Sequence, residues 1–185
     1  MTFRERKFEE YAYLLDFIPN GRSVVIKGRE GPIVQAIGEE NLILLEILSM
    51  NNVIYEVGER IYIGKEGRKK IISVLGRLNF EDLSPNARNE LTYVCEKLVL
   101  ANEQRFVKYF NEALPVTPRL HSLELIPGIG KTYMMQILNE REKKPFVSFD
   151  DINKRCGLRD VVKLITKRII EELQGNTRIF LFVKR

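Results

Sequence analysis

A change of period near residue 84 divides this chain and limits what it can fold into. Up to about residue 80, apolar residues come in short runs broken by glycine, asparagine and proline; beyond it they recur at helical spacing. Tyr11-Ala12-Tyr13-Leu14-Leu15-Asp16-Phe17-Ile18 is aromatic-rich and meets the turn signal Pro19-Asn20-Gly21. Ser23-Val24-Val25-Ile26-Lys27 and residues 33–37, 42–48 and 60–63 continue the series, and residues 70–78 supply a last strand or a short helix. Short strands at this spacing predict a small β-barrel or sandwich over 1–83, and a barrel would also remove exposed sheet edges.

Ser84-Pro85 then reads as a helix start, because serine caps and proline lacks only an N–H that the first turn leaves unpaired. The spacing of Ala87, Leu91, Val94, Leu98, Phe106 and Phe110 predicts one long helix, or two with a bend near Asn102. This connector, 84–114, ends at Pro115 and Pro118. The expected class is α+β with two domains, the barrel being joined by the connector to an all-α domain over 115–175, with a strand over 176–185.

Composition narrows the function classes. Hydrophobic content of 44% with 30% charge fits a folded chain. No run approaches the roughly 20 apolar residues that span a bilayer, so no membrane role is expected. The opening Thr2-Phe3-Arg4-Glu5-Arg6-Lys7 is charged where a secretory leader would be apolar, which points to the cytoplasm. Cys95, Cys156 and His121 are too few and too scattered for a zinc site, and no cofactor or metal is expected. The net charge of +5 is unevenly placed: residues 1–83 hold 12 basic and 13 acidic side chains, and residues 115–185 hold 14 and 8. A basic surface attracts phosphate backbones, while a solvated helix face is the bland alternative.

The motif that carries a function is Pro127-Gly128-Ile129-Gly130-Lys131. Thr117-Pro118 predicts a short helix over 119–125, and Tyr133, Met134, Ile137 and Leu138 predict the inner face of another over 131–141. Glycines at 128 and 130 reach backbone angles closed to other residues and leave no side chain between backbone and ligand. The N–H groups of Gly128, Ile129, Gly130 and Lys131 are expected to converge on one anion at a helix start, where the helix dipole favours negative charge. Ile129 anchors the turn and Lys131 supplies a cation. Two helices joined by this turn resemble the helix-hairpin-helix motif; Met134 stands where that motif usually has a small residue. Downstream, Ser148 with Asp151 reads as a helix start, and Cys156-Gly157-Leu158-Arg159 as a degenerate second hairpin. Lys154, Arg155, Arg159, Lys163, Lys167 and Arg168 cluster around it and are expected to extend the phosphate contact.

The chain resembles, over nearly its full length, the archaeal domain-of-unknown-function family 655. The shared words are Glu10-Tyr11-Ala12-Tyr13, Gly58-Glu59-Arg60-Ile61-Tyr62-Ile63-Gly64, Arg119-Leu120-His121-Ser122-Leu123-Glu124, the 127–131 motif and Pro145-Phe146-Val147-Ser148-Phe149. The resemblance implies a small β-barrel over 1–83 related to the oligonucleotide-binding fold, plus a helix-hairpin-helix unit and a role in binding RNA or DNA, but no reaction; Val161 stands where other members tend to have proline. The expectation is a non-catalytic nucleic-acid-binding protein with RNA slightly ahead of DNA. The alternatives are a protein-interaction adaptor, which would have a protein partner, and, last, a subunit of a repair enzyme or nuclease with Asp160 as its loosely suitable acid.

Overall fold

The computed structural model describes residues 9–185; the part of the barrel expectation that falls on residues 1–8, and the charged opening read there, lie outside them. The fold is mixed α and β. Its chain packs as two compact units, Met1–Val94 with Leu173–Arg185, and Cys95–Glu172.

In the first unit, β1 (Tyr11–Arg22), β2 (Glu30–Gly38), β3 (Leu44–Ser49), β4 (Arg60–Tyr62) and β5 (Ile71–Arg77) form one antiparallel sheet in the order β4-β1-β2-β3-β5. The expected closed barrel is a curled half-barrel, because β4 has only three residues and carries one ladder, to β1. Period-two alternation gathers Ala12, Leu14, Val34, Ala36, Leu45, Ile47 and Ile61 into one core cluster. The opposite face is buried as well, through Tyr13, Leu15, Ile33, Ile37 and Leu44. On the same face Gln35 donates to Asp82 O (3.2 Å) and accepts from Ser84 N–H (2.8 Å). That pairing joins the sheet to the start of α1 (Pro85–Ala101), where Ser84 Oγ accepts from Ala87 N–H (3.0 Å) as the predicted cap and donates to Asp16 (2.6 Å).

Two strand expectations fail for identifiable reasons. β1 runs straight through Pro19-Asn20-Gly21, since a register shift between Ile18 and Gly21 leaves Pro19 and Asn20 outside the ladder to β2, where a missing N–H costs nothing. The turn therefore falls later, and the apolar run 23–27 is a loop. Fully buried Glu46 on β3 holds that loop, accepting from the Ser23 hydroxyl, Val24 N–H (2.9 Å) and Val25 N–H (3.4 Å). Residues 176–185 likewise form no strand. They return to the first unit through single bonds, Lys184 N–H to Asn41 O (3.0 Å) and Arg77 to Lys184 O (3.2 Å).

The second unit continues from α1 into α2 (Glu103–Glu112), with the predicted bend at Asn102, whose side chain donates to Leu98 O (2.9 Å). Then come β6 (Pro115–Thr117) and β7 (Leu120–His121), a single 3-10 turn (Ser122–Leu125), α3 (Lys131–Lys143), α4 (Phe149–Cys156) and α5 (Val161–Leu173). The helix expected over 119–125 is absent. β6 and β7 pair as a two-stranded ribbon, and the helical turn starts only at Ser122, because His121 rather than Thr117 caps it. His121 Nδ1 accepts from Leu123 N–H (3.1 Å), and Glu124 accepts from His121 N–H (2.9 Å). Among the described residues, no helix is long and apolar enough to cross a membrane.

If Glu46 organises the 23–29 loop, Glu46→Ala leaves the N–H groups of Val24 and Val25 and the Ser23 hydroxyl without their acceptor. The expected cost is about 1–3 kcal/mol, read as a lower urea midpoint, with faster tryptic cleavage after Lys27 and Arg29. An unchanged midpoint and cleavage rate would remove Glu46 from this role.

Candidate nucleic-acid interface

The 127–130 turn is built as the sequence suggests, with one difference in its hydrogen bonding. Pro127 supplies a fixed φ, and Gly128 sits at φ +90°, the left-handed region that the third residue of a type II turn requires. Ile129 N–H closes the turn on Ile126 O (3.0 Å), so it is not free for an anion as expected. Ile129 itself is 2% exposed and anchors the turn. An ideal Cβ on Gly128 would lie 2.8 Å from Leu164 Cδ2, so the turn rests on the first part of α5.

Gly130 is the N-cap of α3, with φ −87° and ψ −170° and no side-chain cap. The first-turn N–H groups of a helix have no partner within it, and a glycine supplies none. Those of Gly130, Lys131 and Thr132 therefore form the open donor set. Lys131 is exposed beside them.

The degenerate second turn is built differently. Gly157 ends α4 in the left-handed conformation (φ 68°). The next helix is closed by side chains: Asn153 Oδ1 accepts from Val161 N–H (2.8 Å) and Asp160 Oδ1 from Val162 N–H (3.1 Å). At 156–159, where a residual backbone contact was expected, the N–H groups of Gly157 and Leu158 are both taken by Asn153 O. Asp160 works as a helix cap.

The cations divide into two sets. Arg159, Lys163 and Lys167 are exposed, and Lys163 adjoins the Leu164 that supports Gly128. Lys154 is exposed but pairs with Asp150 at 2.8 Å. Arg155 and Arg168 face inward. Arg155 donates to Glu140 (3.4 Å), Asp151 (3.1 Å) and the carbonyls of Glu140 and Lys144, and lies 4.5 Å over the Phe146 ring. Arg168 is 5% exposed and donates to Glu172 (3.1 Å) and Leu125 O (3.1 Å).

With this geometry in hand, comparison with known proteins is direct. The family model described as a protein of unknown function, DUF655, matches residues 8–184. The chain belongs to the DUF655 family. It is 45% identical over 183 residues to an uncharacterized protein of Methanocaldococcus jannaschii, covering 98% of this chain and 82% of that one. It is also similar to the DUF655 protein Af1531 of Archaeoglobus fulgidus, whose crystal structure superposes with a TM-score of 0.85 at 41% identity, over 95% of this chain and all of the other.

In this DUF655 chain the spacing of charges identified cations but not their orientation. Arg155 and Arg168 are correctly placed on helices, yet their guanidinium donors are occupied inside the protein. The two cysteines are buried, and loss of solvent pushes the thiols of Cys95 and Cys156 up to about 12 and about 11. What sequence reasoning missed is the contrast between the two turns, although glycine at 130 against aspartate at 160 was there to be read.

Two predictions follow from the turn and its neighbour. Gly128→Ala meets both the left-handed φ and Leu164, and should cost about 1–3 kcal/mol. Gly130→Asp has an ordinary φ, open space and a better capping side chain, and should gain a few tenths of a kcal/mol; thermal melts that ranked the two the other way would refute this geometry. His121 titrates below its ordinary value, first through burial and then through the nearby Arg141 guanidinium, with Glu124 opposing both. The unfolded chain thus takes the proton more readily. The contribution of His121 is complete above about pH 6.5 and is lost as pH falls through the lower folded-state value. Tm should fall between pH 7 and pH 5 more steeply in wild type than in His121→Asn, which keeps a capping oxygen; parallel profiles would exclude the cap as the cause.

Proposed function

We propose that this protein is a non-catalytic nucleic-acid-binding protein that holds a phosphate of the backbone at the start of α3. The observation that carries the reading is the glycine cap at Gly130. It leaves the first donors of α3 open beside exposed Lys131; α1, α4 and α5 are each capped by a side chain, and α2, which also lacks such a cap, follows α1 after the single residue Asn102. An anion at a helix start gains from both the N–H groups and the helix dipole. In this reading Gly128 shapes the turn, Ile129 anchors it, and Gly130 and Lys131 touch phosphate. Arg159 and Lys163 extend the footprint along α5; Lys154 adds little because Asp150 holds it, and Arg155 adds none.

Phosphate contacts position a chain without reading its bases, so this grip is sequence-tolerant. RNA stands slightly ahead of DNA in the proposal, and the titration below decides between them. The two turns together make the reading one of a degenerate tandem helix-hairpin-helix whose first helix has shrunk to a 3-10 turn.

The test is anisotropy titration of single-stranded RNA, single-stranded DNA and duplex DNA at several salt concentrations, with Gly130→Asp beside wild type. Three or four phosphate contacts predict a log–log salt slope of about −3. Gly130→Asp should bind at least tenfold more weakly while melting no lower, since its carboxylate occupies the donors and repels phosphate. Equal affinity in the two proteins, or no binding at low salt, would overturn the reading in favour of a protein-interaction adaptor, for which exposed Leu114 and Val116 at the β6 ribbon would be the surface.

A further inference from the structure

The half-barrel contains a second feature that the charge of the chain as a whole conceals. Residues 1–83 are close to neutral, yet residues 60–70 hold five basic side chains against one acidic. This loop borders a cavity of about 250 Å³ between β3, β5 and the chain leaving β4. Its floor is aliphatic, from Ile43, Leu45, Ile63 and Val74, and Lys65 and Arg68 stand at its rim. Arg68 donates to three carbonyls, Gly64 O (2.6 Å), Ile72 O (2.8 Å) and Ile63 O (3.3 Å). Its bonds fix the loop, and because carbonyls carry no net charge its own positive charge stays in place. Lys69 is exposed further along.

Size and charge select an occupant. Drug-sized ligands need roughly 300–1,000 Å³, so this cavity takes one flat or short apolar group. A second cavity of about 360 Å³ is lined by Glu59, Arg60, Tyr62, Lys69 and Lys70; Arg60 pairs with Glu39 and Lys70 with Glu59, which leaves Lys69 as its exposed cation. Two cavities bordered by one loop that carries Lys65, Arg68 and Lys69 suit a polyanion with repeating flat groups better than a single acid with one tail. The wall of the first cavity also includes Glu9, whose carboxylate is oriented by the N–H groups of Glu40 (2.9 Å) and Asn41 (2.6 Å).

We infer that the half-barrel is a separate binding site for an unpaired nucleic-acid strand, with one base in the cavity floored by Leu45, Ile63 and Val74 and its phosphates facing Lys65, Arg68 and Lys69. The inference deepens the nucleic-acid reading by naming a single strand as the ligand, and it rests on residues that share nothing with the 127–131 turn. A base that is paired and stacked in a duplex cannot enter such a slot.

The experiment is titration of the ¹⁵N-labelled full chain with a single-stranded octanucleotide, with the same octanucleotide as a duplex, and with octanoate. The single strand should shift the amides of Gly64, Lys65, Ser73 and Val74, in wild type and in Gly130→Asp alike, and the duplex should not. Ser73→Phe, which fills the mouth of the cavity, should abolish those shifts. Should it fail to fold, Lys65→Glu/Lys69→Glu at the surface should still weaken them at least tenfold. Silent amides at millimolar strand, shifts that both variants leave unchanged, or a stronger response to octanoate would each overturn the inference. Shifts at 64–74 without any at 128–133 would retain it and reject the turn as a grip; the converse pattern would do the reverse.

Discussion

A guanidinium that is 5% exposed has to be neutralised where it lies, and the second unit is organised around that requirement at Arg168. Its Nε meets Glu172, which is itself buried, and another nitrogen holds Leu125 O at the last residue of the 3-10 turn. Removing one partner of such a pair typically costs about 3–5 kcal/mol, because the other charge is left buried alone. The bond to Leu125 therefore fixes the chain one residue before the Ile126 carbonyl on which the 127–130 turn closes. Arg155 does comparable work at the other end of α3, tying the carbonyls of Glu140 and Lys144 to α4. Between these two inward-facing cations, α3 is held in place without any help from a side-chain cap at its own start.

The same use of charge operates in the half-barrel with the sign reversed. Glu46 and Glu9 are buried carboxylates that collect backbone N–H groups from the 23–25 and 40–41 segments, and Arg68 collects carbonyls from 63–72. In each case an ionised side chain takes over hydrogen bonding that a regular strand would otherwise supply. These segments can then be irregular while their polar groups remain paired, which is how a sheet with only one three-residue strand at its β4 edge keeps its long loops ordered.

These long-range charges also set the limit of what the sequence made legible. β2, β3, β4 and β5, the α1–α2 bend at Asn102, and the caps at Ser84 and Ser148 were readable because each depends on neighbours within a few residues. The strand expected over 23–27 was not, since its fate is decided by Glu46, more than twenty positions away. The helix expected over 119–125 failed between two local signals of similar strength, Thr117-Pro118 and the His121–Glu124 pair, and ribbon pairing of 115–121 chose the second. At the candidate site the turn, its anchor Ile129 and its exposed Lys131 stand where the motif put them. The direction of the arginines was hidden, because a cluster of cations on paper does not show which ones meet buried carboxylates. Averaging charge over 1–83 hid the 60–70 loop in the same way.

The difference between the two turns of the second unit then becomes the most informative feature of the fold. At Asp160 the chain follows the ordinary rule: a helix start receives a side-chain acceptor, and stability rises by roughly 0.5–2 kcal/mol over an uncapped start. At Gly130 the chain has no side-chain acceptor and forgoes a few tenths of a kcal/mol relative to aspartate, although φ and space would admit aspartate or serine without strain. Gly128, by contrast, is required by its left-handed φ and by Leu164, so folding alone accounts for it. A departure from local consistency with no structural compensation is where a functional demand is expected to act. In the proposed reading, the open donors, the helix dipole and the adjacent lysine meet an external anion. The glycine that folding does not need is therefore the better guide to function than the one it does.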